Sequence, residues 1–289
     1  MAKELSALEQ LKASRNPLRV IDDIYKEANE GIPLSNDYIG LLKWYGMYPH
    51  VNSEGLEDKK YFMKRIKLVD TRMNLEQLKV MAKIGRDYAQ GLVDFTTRQN
   101  VQFHFIQIKD MPEIFKLLES VGLTSRMASG DGPRPIMTCP VSGIDEDEIY
   151  DVQELVKSVD SYFDKNEDRF CNFPRKYKIG VSGCKCHCAA HEIQDVAFTA
   201  FKNDAGEVLF DLTIGGGLSK SKQIATRANR YVKPEQVRDV AVACAEIFRD
   251  NGNRENRNKA RVRHLLNDWG IEKFVEEIEK NIGYSLEEG

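Results

Sequence analysis

The chain has 289 residues, enough for two domains. It is 30% charged and 42% hydrophobic, with no apolar run of membrane-spanning length, so neither a helical membrane protein nor a membrane partner is expected. The net charge of −3 removes any global electrostatic case for nucleic acid, and an anion site must come from a local concentration of Lys and Arg.

Residues 1 to about 55 read as a helical arm, with helices over Glu4 to Ala13 and Pro17 to Ala28, a break at Gly31-Ile-Pro33, and Leu41 to Gly46 beyond it. The opening Met1-Ala-Lys-Glu-Leu-Ser6 has no signal-peptide character, which leads to the expectation of a cytoplasmic protein. From Tyr61 to Leu68 the pattern alternates, with Ile66 and Leu68 on one face and Arg65 and Lys67 on the other, as in a half-buried strand. Asn74 and Gln77 have the spacing of a capping box, opening a helix that Gly91 ends. Leu92 to Thr97 and Val101 to Gln107 follow as strands, and Asp110 to Val121 as a helix. Pro135 to Thr138 is expected to supply a last strand, giving the order β-α-β-β-α-β of a ferredoxin-like unit over residues 56–128.

Residues 129–289 read as a second, mixed α/β domain, which makes the whole α+β. Ile149 to Phe163 is expected to be helical, and Lys176 to Val181, Ile193 to Phe201 and Val208 to Ile214 to be strands. Asn203-Asp-Ala-Gly206 turns the last two into a hairpin. Gly215-Gly-Gly217 is expected to lead into helical sequence, followed by helices over Pro234 to Arg249, Arg257 to Asn267 and Ile271 to Ile282. In the first of these strands Lys176 and Lys178 share one face while Tyr177, Ile179 and Val181 share the other, so a core strand carries two cations toward something anionic or wet. Lysines that block pairing at a sheet edge are the structural alternative.

Other cations recur where strands leave for loops, at Arg65, Arg98 and Arg134. Arg98 lies in Phe95-Thr96-Thr97-Arg98-Gln99-Asn-Val-Gln102, where hydroxyls, a guanidinium and amides converge, a set suited to a ligand with many carboxylates. Scattered surface salt bridges would use the same residue types. Gly215, Gly216 and Gly217 can aim backbone N–H groups at an anion, or can simply turn the chain. The basic run Arg254, Arg257, Lys259, Arg261, Arg263 is interrupted by acids and has no aromatic stacking platform, so it is not read as an RNA site.

The six cysteines, Cys139, Cys171, Cys184, Cys186, Cys188 and Cys244, are expected to be reduced. Cys184-Lys-Cys186-His187-Cys188, with His191 nearby, lacks the C-x2-C spacing of ordinary zinc or cluster sites. No metal ligand is assigned, with Cys184, Cys186 and Cys188 as the alternative.

Several of these segments, in order, resemble the successive motifs of the siroheme-dependent nitrite and sulfite reductases. They are Phe62-Met-Lys-Arg65-Ile-Lys-Leu68, Thr96 to Gln102, Gly130-Asp-Gly-Pro-Arg134 through Asp145, Pro174-Arg-Lys176-Tyr-Lys178, His191 to Phe198, Gly215 to Leu218, and Asn256-Arg257 through Arg261. The resemblance runs over about residues 40 to 285, with Pro135 where family members commonly carry Asn. It implies that Arg65, Arg134, Lys176 and Lys178 bind the oxyanion over siroheme. Arg98, Gln99 and Gln102, with Thr96, Thr97 and the glycine triplet, would hold the macrocycle. It also implies a [4Fe-4S] cluster whose C-x5-C and C-x3-C ligands lie in a C-terminal half that this chain lacks. The expected function is the N-terminal half of a six-electron reductase of sulfite or nitrite, served by a donor such as ferredoxin. A non-catalytic partner subunit that binds tetrapyrrole or metal is the alternative.

Overall fold

The computed structural model describes residues 5–51, 57–69, 71–186, 188–219 and 221–289. The helix start expected at Glu4, the arm boundary at residue 55 and His187 lie outside the described residues. The chain forms two compact units, one of Leu11–Leu68 and Arg72–Gly130, the other of Asp131–Gly289 with Met1–Gln10 and Val69–Thr71.

Helix α1 (Ala7–Ser14) comes first. The Asn16 side chain accepts from the Leu18 N–H at 2.9 Å and opens a short 3-10 turn. Helix α2 (Val20–Glu30) follows and stops at Gly31, which takes the left-handed conformation. A 3-10 stretch, Asn36–Tyr45, ends at Gly46 with φ 73°. A Cβ on Gly46 would lie 2.3 Å from the Arg65 carbonyl oxygen, so glycine is required there twice over.

Strands β1 (Met47–Val51) and β2 (Glu57–Ile66) then pair antiparallel. Helix α3 (Leu75–Tyr88) opens on the Asn74/Gln77 capping box, as its spacing predicts. It leads to β3 (Val93–Phe95), β4 (Val101–Ile106) and helix α4 (Met111–Glu119). The sheet order is β1-β2-β4-β3, all antiparallel.

The α+β class and the ferredoxin-like character hold, but the fourth strand comes from the other direction in sequence. It is β1, ahead of the unit. Pro135–Thr138 joins the second unit instead, because the Met137 N–H donates to Ile179 O at 3.0 Å and its carbonyl accepts from Val181 at 2.8 Å.

The second unit begins with helices α5 (Gln153–Lys165) and α6 (Glu167–Phe170). Strand β5 (Ile179–Ser182) runs parallel to β6 (Val196–Lys202), and β7 (Val208–Ile214) and β8 (Thr226–Val232) continue antiparallel. Helices α7 (Val237–Asn251), α8 (Val262–Trp269) and α9 (Ile271–Ile282) follow, and β9 (Glu287–Glu288) closes the sheet in the order β5-β6-β7-β8-β9. Tyr177, Ile179, Val181, Phe198, Phe210 and Leu212 pack against Val240, Cys244 and Phe248 of α7.

Two expectations change here. The strand starts at Ile179, leaving Lys176 and Lys178 in the segment that enters it, although Tyr177 is buried as the alternation requires. Between Gly217 and Lys233 the described residues form β8 and no helix, with Ala228 and Val232 turned into the core and Arg227 forked onto Asp211 of β7. Ladder pairing to β7 outweighs local helical composition.

Strand β2 also departs from its expected pattern. Lys67, placed on the open face by alternation, is buried, and its N–H pairs with Thr124 O. Lys64 is fully buried, its ammonium 2.7 Å from Tyr45 O, 2.6 Å from Ser125 Oγ and 4.5 Å from the centre of the Phe115 ring. Burial holds its pKa well below the ordinary lysine value. The unfolded chain therefore binds this proton more readily than the folded one, and the contribution of Lys64 to stability rises as pH climbs toward the unfolded lysine pKa. Urea unfolding of wild type and Lys64→Met from pH 7 to pH 10 is expected to show the difference moving steadily in favour of wild type. A difference independent of pH would mean that Lys64 is not a buried, titrating amine.

Candidate functional site

In the second unit, Arg175 and Lys176 stand just before β5. Arg257 sits on the 3-10 turn Arg257–Lys259, and Arg261 and Arg263 lie at the entry to α8. Together with Ser219, Ser221 and Asn258 they line one cavity of about 240 Å³. The basic run set aside as an RNA candidate thus converges with the segment before β5.

Two buried carboxylates organise these cations. Asp195, fully buried at the start of β6, accepts Arg261 Nε at 3.0 Å and Arg261 Nη2 at 2.7 Å, and takes the Lys178 backbone N–H at 2.8 Å on the same carboxylate. Its own carbonyl accepts the Gly215 N–H at 2.8 Å. Asp131 receives Arg257 in a fork at 2.7 and 2.9 Å. Glu9 takes Arg254, which also binds the Asn172 carbonyl, so this part of the basic run is structural.

The cavity remains rich in positive charge after these pairings. Burial, and next the charge of Arg257, pull Arg175 below its ordinary pKa; burial and then Arg261 do the same to Arg263. Arg263 is 3% exposed, and its Nε and Nη1 are buried with no protein hydrogen-bond partner among the described residues. A guanidinium in that state calls for an anion.

The Arg134 N–H donates to Tyr177 O at 2.8 Å, and Pro133 bridges Tyr177 in parallel. The fold therefore brings the half-buried Arg134, Lys176 and Lys178 onto adjacent backbones. The glycine triplet acts otherwise than its N–H groups suggested. Gly215 and Gly217 donate within the protein, to Asp195 O and Gln223 O. A Cβ on Gly217 would lie 2.5 Å from Arg263 Nη1, and one on Gly216 2.3 Å from Glu192 O. The triplet lets a guanidinium pass against the backbone.

The remaining sequence-selected residues sit in the first unit. Arg65 on β2 faces Gln102 on β4 across the ladder. With the Gln102 amide oxygen turned toward it, Arg65 Nη2 and Nε donate at 2.7 and 3.1 Å. Arg65 Nη1 also reaches Ser129 Oγ at 3.3 Å. Gln102 is thus a support for Arg65. The 96–100 turn is pinned by the Asn100 N–H to Thr96 Oγ1 at 3.1 Å and by Asn100 Nδ2 to Arg98 O at 2.6 Å, with Gln99 at a positive φ of 58°. Thr97 is exposed, while Arg98 and Gln99 are half-buried.

The relatives place this arrangement. The family described as the nitrite and sulphite reductase 4Fe-4S domain matches residues 129–286, which hold the basic cavity, and the nitrite/sulfite reductase ferredoxin-like half domain matches residues 54–121. The chain belongs to the nitrite and sulfite reductase family.

It is similar to a sulfite reductase [ferredoxin] of Mycobacterium tuberculosis, 35% identical over 95% of this chain and 52% of the relative. It is also similar to an assimilatory ferredoxin-dependent nitrite reductase of Haloferax mediterranei, 34% identical over 95% of the chain and 49% of the relative. The solved Mycobacterium tuberculosis NirA protein superposes with a TM-score of 0.92 at 32% identity, over 99% of this chain and 55% of that one. The chain spans about half the length of the curated relatives it matches.

The cofactors of the nitrite and sulfite reductase family are siroheme and a [4Fe-4S] cluster. The residues present fit the first, since a basic cavity with an unsatisfied buried guanidinium suits a macrocycle that carries carboxylates. For the second, no three of Cys, His, Asp and Glu among the described residues are arranged to hold a metal ion, and His187, inside the Cys184 to Cys188 segment, is not one of those residues. Arg175, Arg261 and Arg263 were missed as site residues from sequence. The Arg257–Arg263 run was the visible signal, and Asp195 and Asp131 are the acids that give it a direction.

Asp195→Asn keeps the shape but strips the charge from a buried Arg261 pair, and is expected to destabilise the chain by about 3 kcal/mol with an unchanged urea slope. Stability within about 0.5 kcal/mol of wild type would show that Asp195 does not hold this frame.

Proposed function

We propose that this chain provides the oxyanion-binding and siroheme-binding half of a ferredoxin-dependent reductase that takes sulfite to sulfide, or nitrite to ammonia, in six electrons. The reading rests on one observation above all, the buried Arg263 guanidinium with unpartnered Nε and Nη1 in a cavity lined by Arg175, Lys176, Arg257 and Arg261. No described helix is long and apolar enough to cross a membrane, and a cytoplasmic location belongs to the same reading.

In this reading Arg98, Gln99, Thr96 and Thr97 orient the macrocycle, Gln102 acts through Arg65, and the Gly215, Gly216, Gly217 turn acts through the room it leaves for Arg263. Arg175, Arg261 and Arg263 meet carboxylates on the side of the cavity. Siroheme, when bound, supplies an electron-rich iron at which the substrate anion is reduced. Arg65 and Arg134 hold the negative charge of the substrate, and Lys176 and Lys178 combine charge with a proton that can be given up as each oxygen leaves as water. Arginine is kept for charge and orientation because its pKa, above about 12, makes it a poor acid. Cluster ligands would come from the remainder of a full-length enzyme, as would the completed ferredoxin docking surface.

Arg98→Ala and Arg263→Ala are each expected to weaken siroheme binding by about 2 kcal/mol, the size of one charge-assisted pair. Absorbance titration of the chain with siroheme measures this. Equal affinity in wild type and both variants would remove the basic cavity and the 96–102 turn from the site.

Sulfite is expected to be preferred over nitrite, because the second ammonium, on Lys178, favours the more highly charged anion. In an enzyme completed with the C-terminal half, Lys178→Asn should narrow the ratio of the two kcat/KM values. An unchanged ratio would clear Lys178 of any part in selectivity. Siroheme binding without reduction of either anion in the completed enzyme would favour a non-catalytic subunit.

A further inference from the structure

Helix α1 supplies an acid to the arginines of the basic run. Glu9 is 4% exposed, and its carboxylate stands between two guanidinium groups. Oε2 accepts from Arg254 Nη1 at 3.0 Å, and Oε1 lies 3.8 Å from Arg257 Nη1. A carboxylate so far from water needs cations of this kind around it.

Arg254 is fixed by three further acceptors, the Asn172 carbonyl at 2.8 Å, the Asn172 side-chain oxygen at 3.0 Å and the Arg249 carbonyl at 3.2 Å. The Asn172 segment is tied down in turn, since the next residue, Phe173, donates its N–H to Asp131 O at 2.9 Å. Arg254 therefore holds Glu9 at a set position, with one oxygen turned to Arg257.

Of the two arginines at Glu9, Arg257 is the one that lines the cavity. It forks onto Asp131 at 2.7 and 2.9 Å, but Asp131 also stands 3.9 Å from Arg175 Nη1. Two guanidinium groups of the cavity thus share one buried carboxylate. They also repel, and after burial the charge of Arg257 is what pulls Arg175 below its ordinary pKa. A second carboxylate beside Arg257 offsets that repulsion and restrains the guanidinium plane.

We propose that Glu9 is a positioning residue for the siroheme cavity, acting through Arg257 by holding that guanidinium where it meets a carboxylate of the macrocycle. The inference rests on the reading of the cavity as the siroheme site. Its sign is distinctive. Glu9 is an anion close to an anion site, so by charge alone its removal strengthens binding. By position its removal releases Arg257 and weakens binding.

The test is absorbance titration of the 289-residue chain with siroheme in wild type, Glu9→Gln, Arg257→Lys and the double variant. Glu9→Gln keeps the volume and an amide oxygen for Arg254, and is expected to weaken binding by about fivefold. Arg257→Lys keeps a cation beside Asp131 but loses the fork. Adding Glu9→Gln to it should cost less than about twofold more, because the group through which Glu9 acts is already gone. A residue that only anchors α1 would give the same loss in both backgrounds. The sign of the Glu9→Gln change decides the matter even if Arg257→Lys folds poorly. Tighter or unchanged binding in Glu9→Gln, or its full loss repeated in the Arg257→Lys background, would overturn the proposal and leave the cavity reading intact. A wild-type chain that takes up no siroheme would instead overturn that reading, and this inference with it.

Discussion

The Asp195 carboxylate is the contact on which the second unit depends. It lies in the core with no exposure, where an unpaired charge would be prohibitive, so it exists there only because Arg261 meets it in a fork and the Lys178 N–H completes its acceptors. Through its carbonyl the same residue receives Gly215. One residue thereby joins the entry to β5, the glycine triplet after β7 and the approach to α8. These are the three pieces of chain that carry or crowd the cavity's cations.

Charge explains why the arrangement suits a ligand. The chain as a whole is slightly acidic, yet one cavity concentrates Arg175, Lys176, Arg257, Arg261 and Arg263. Asp195 and Asp131 fix two of these guanidinium groups in place but cannot neutralise the set. Like charges held together in a partly dry site are destabilising until an anion arrives, and the buried nitrogens of Arg263 mark where it is wanted. Lys64, in the other unit, answers the same problem differently: a carbonyl, a hydroxyl and an aromatic face surround its ammonium.

Glycine and cysteine motifs had more than one physical meaning until their surroundings were known. Gly215-Gly-Gly217 read as a set of donors for an anion or as a simple turn; two of its N–H groups are used internally, and the missing Cβ of Gly217 makes room for Arg263. Cys184, Cys186 and Cys188 read as packing or a metal site, and the structure buries Cys184 while leaving Cys186 and Cys188 exposed.

Local pattern by itself determined a good deal of this protein. The Asn74/Gln77 capping box, the strand over Val208 to Ile214 and the helix over Ile271 to Ile282 are readable because local sequence carries their signals. The α+β class followed from the order of such elements, and the family from motifs such as Pro174 to Lys178 standing in sequence. Only the tertiary structure decided which acid pairs with which base, since Asp195 and Arg261 are 66 residues apart and Asp131 and Arg257 are 126 apart. It also decided that β1 supplies the fourth strand in place of Pro135–Thr138, because ladder partners at Ile179 and Val181 capture Met137. Long-range pairing energies of this kind leave no trace in local periodicity, and that is why the cavity's arginines could be seen as a basic run but not as a site.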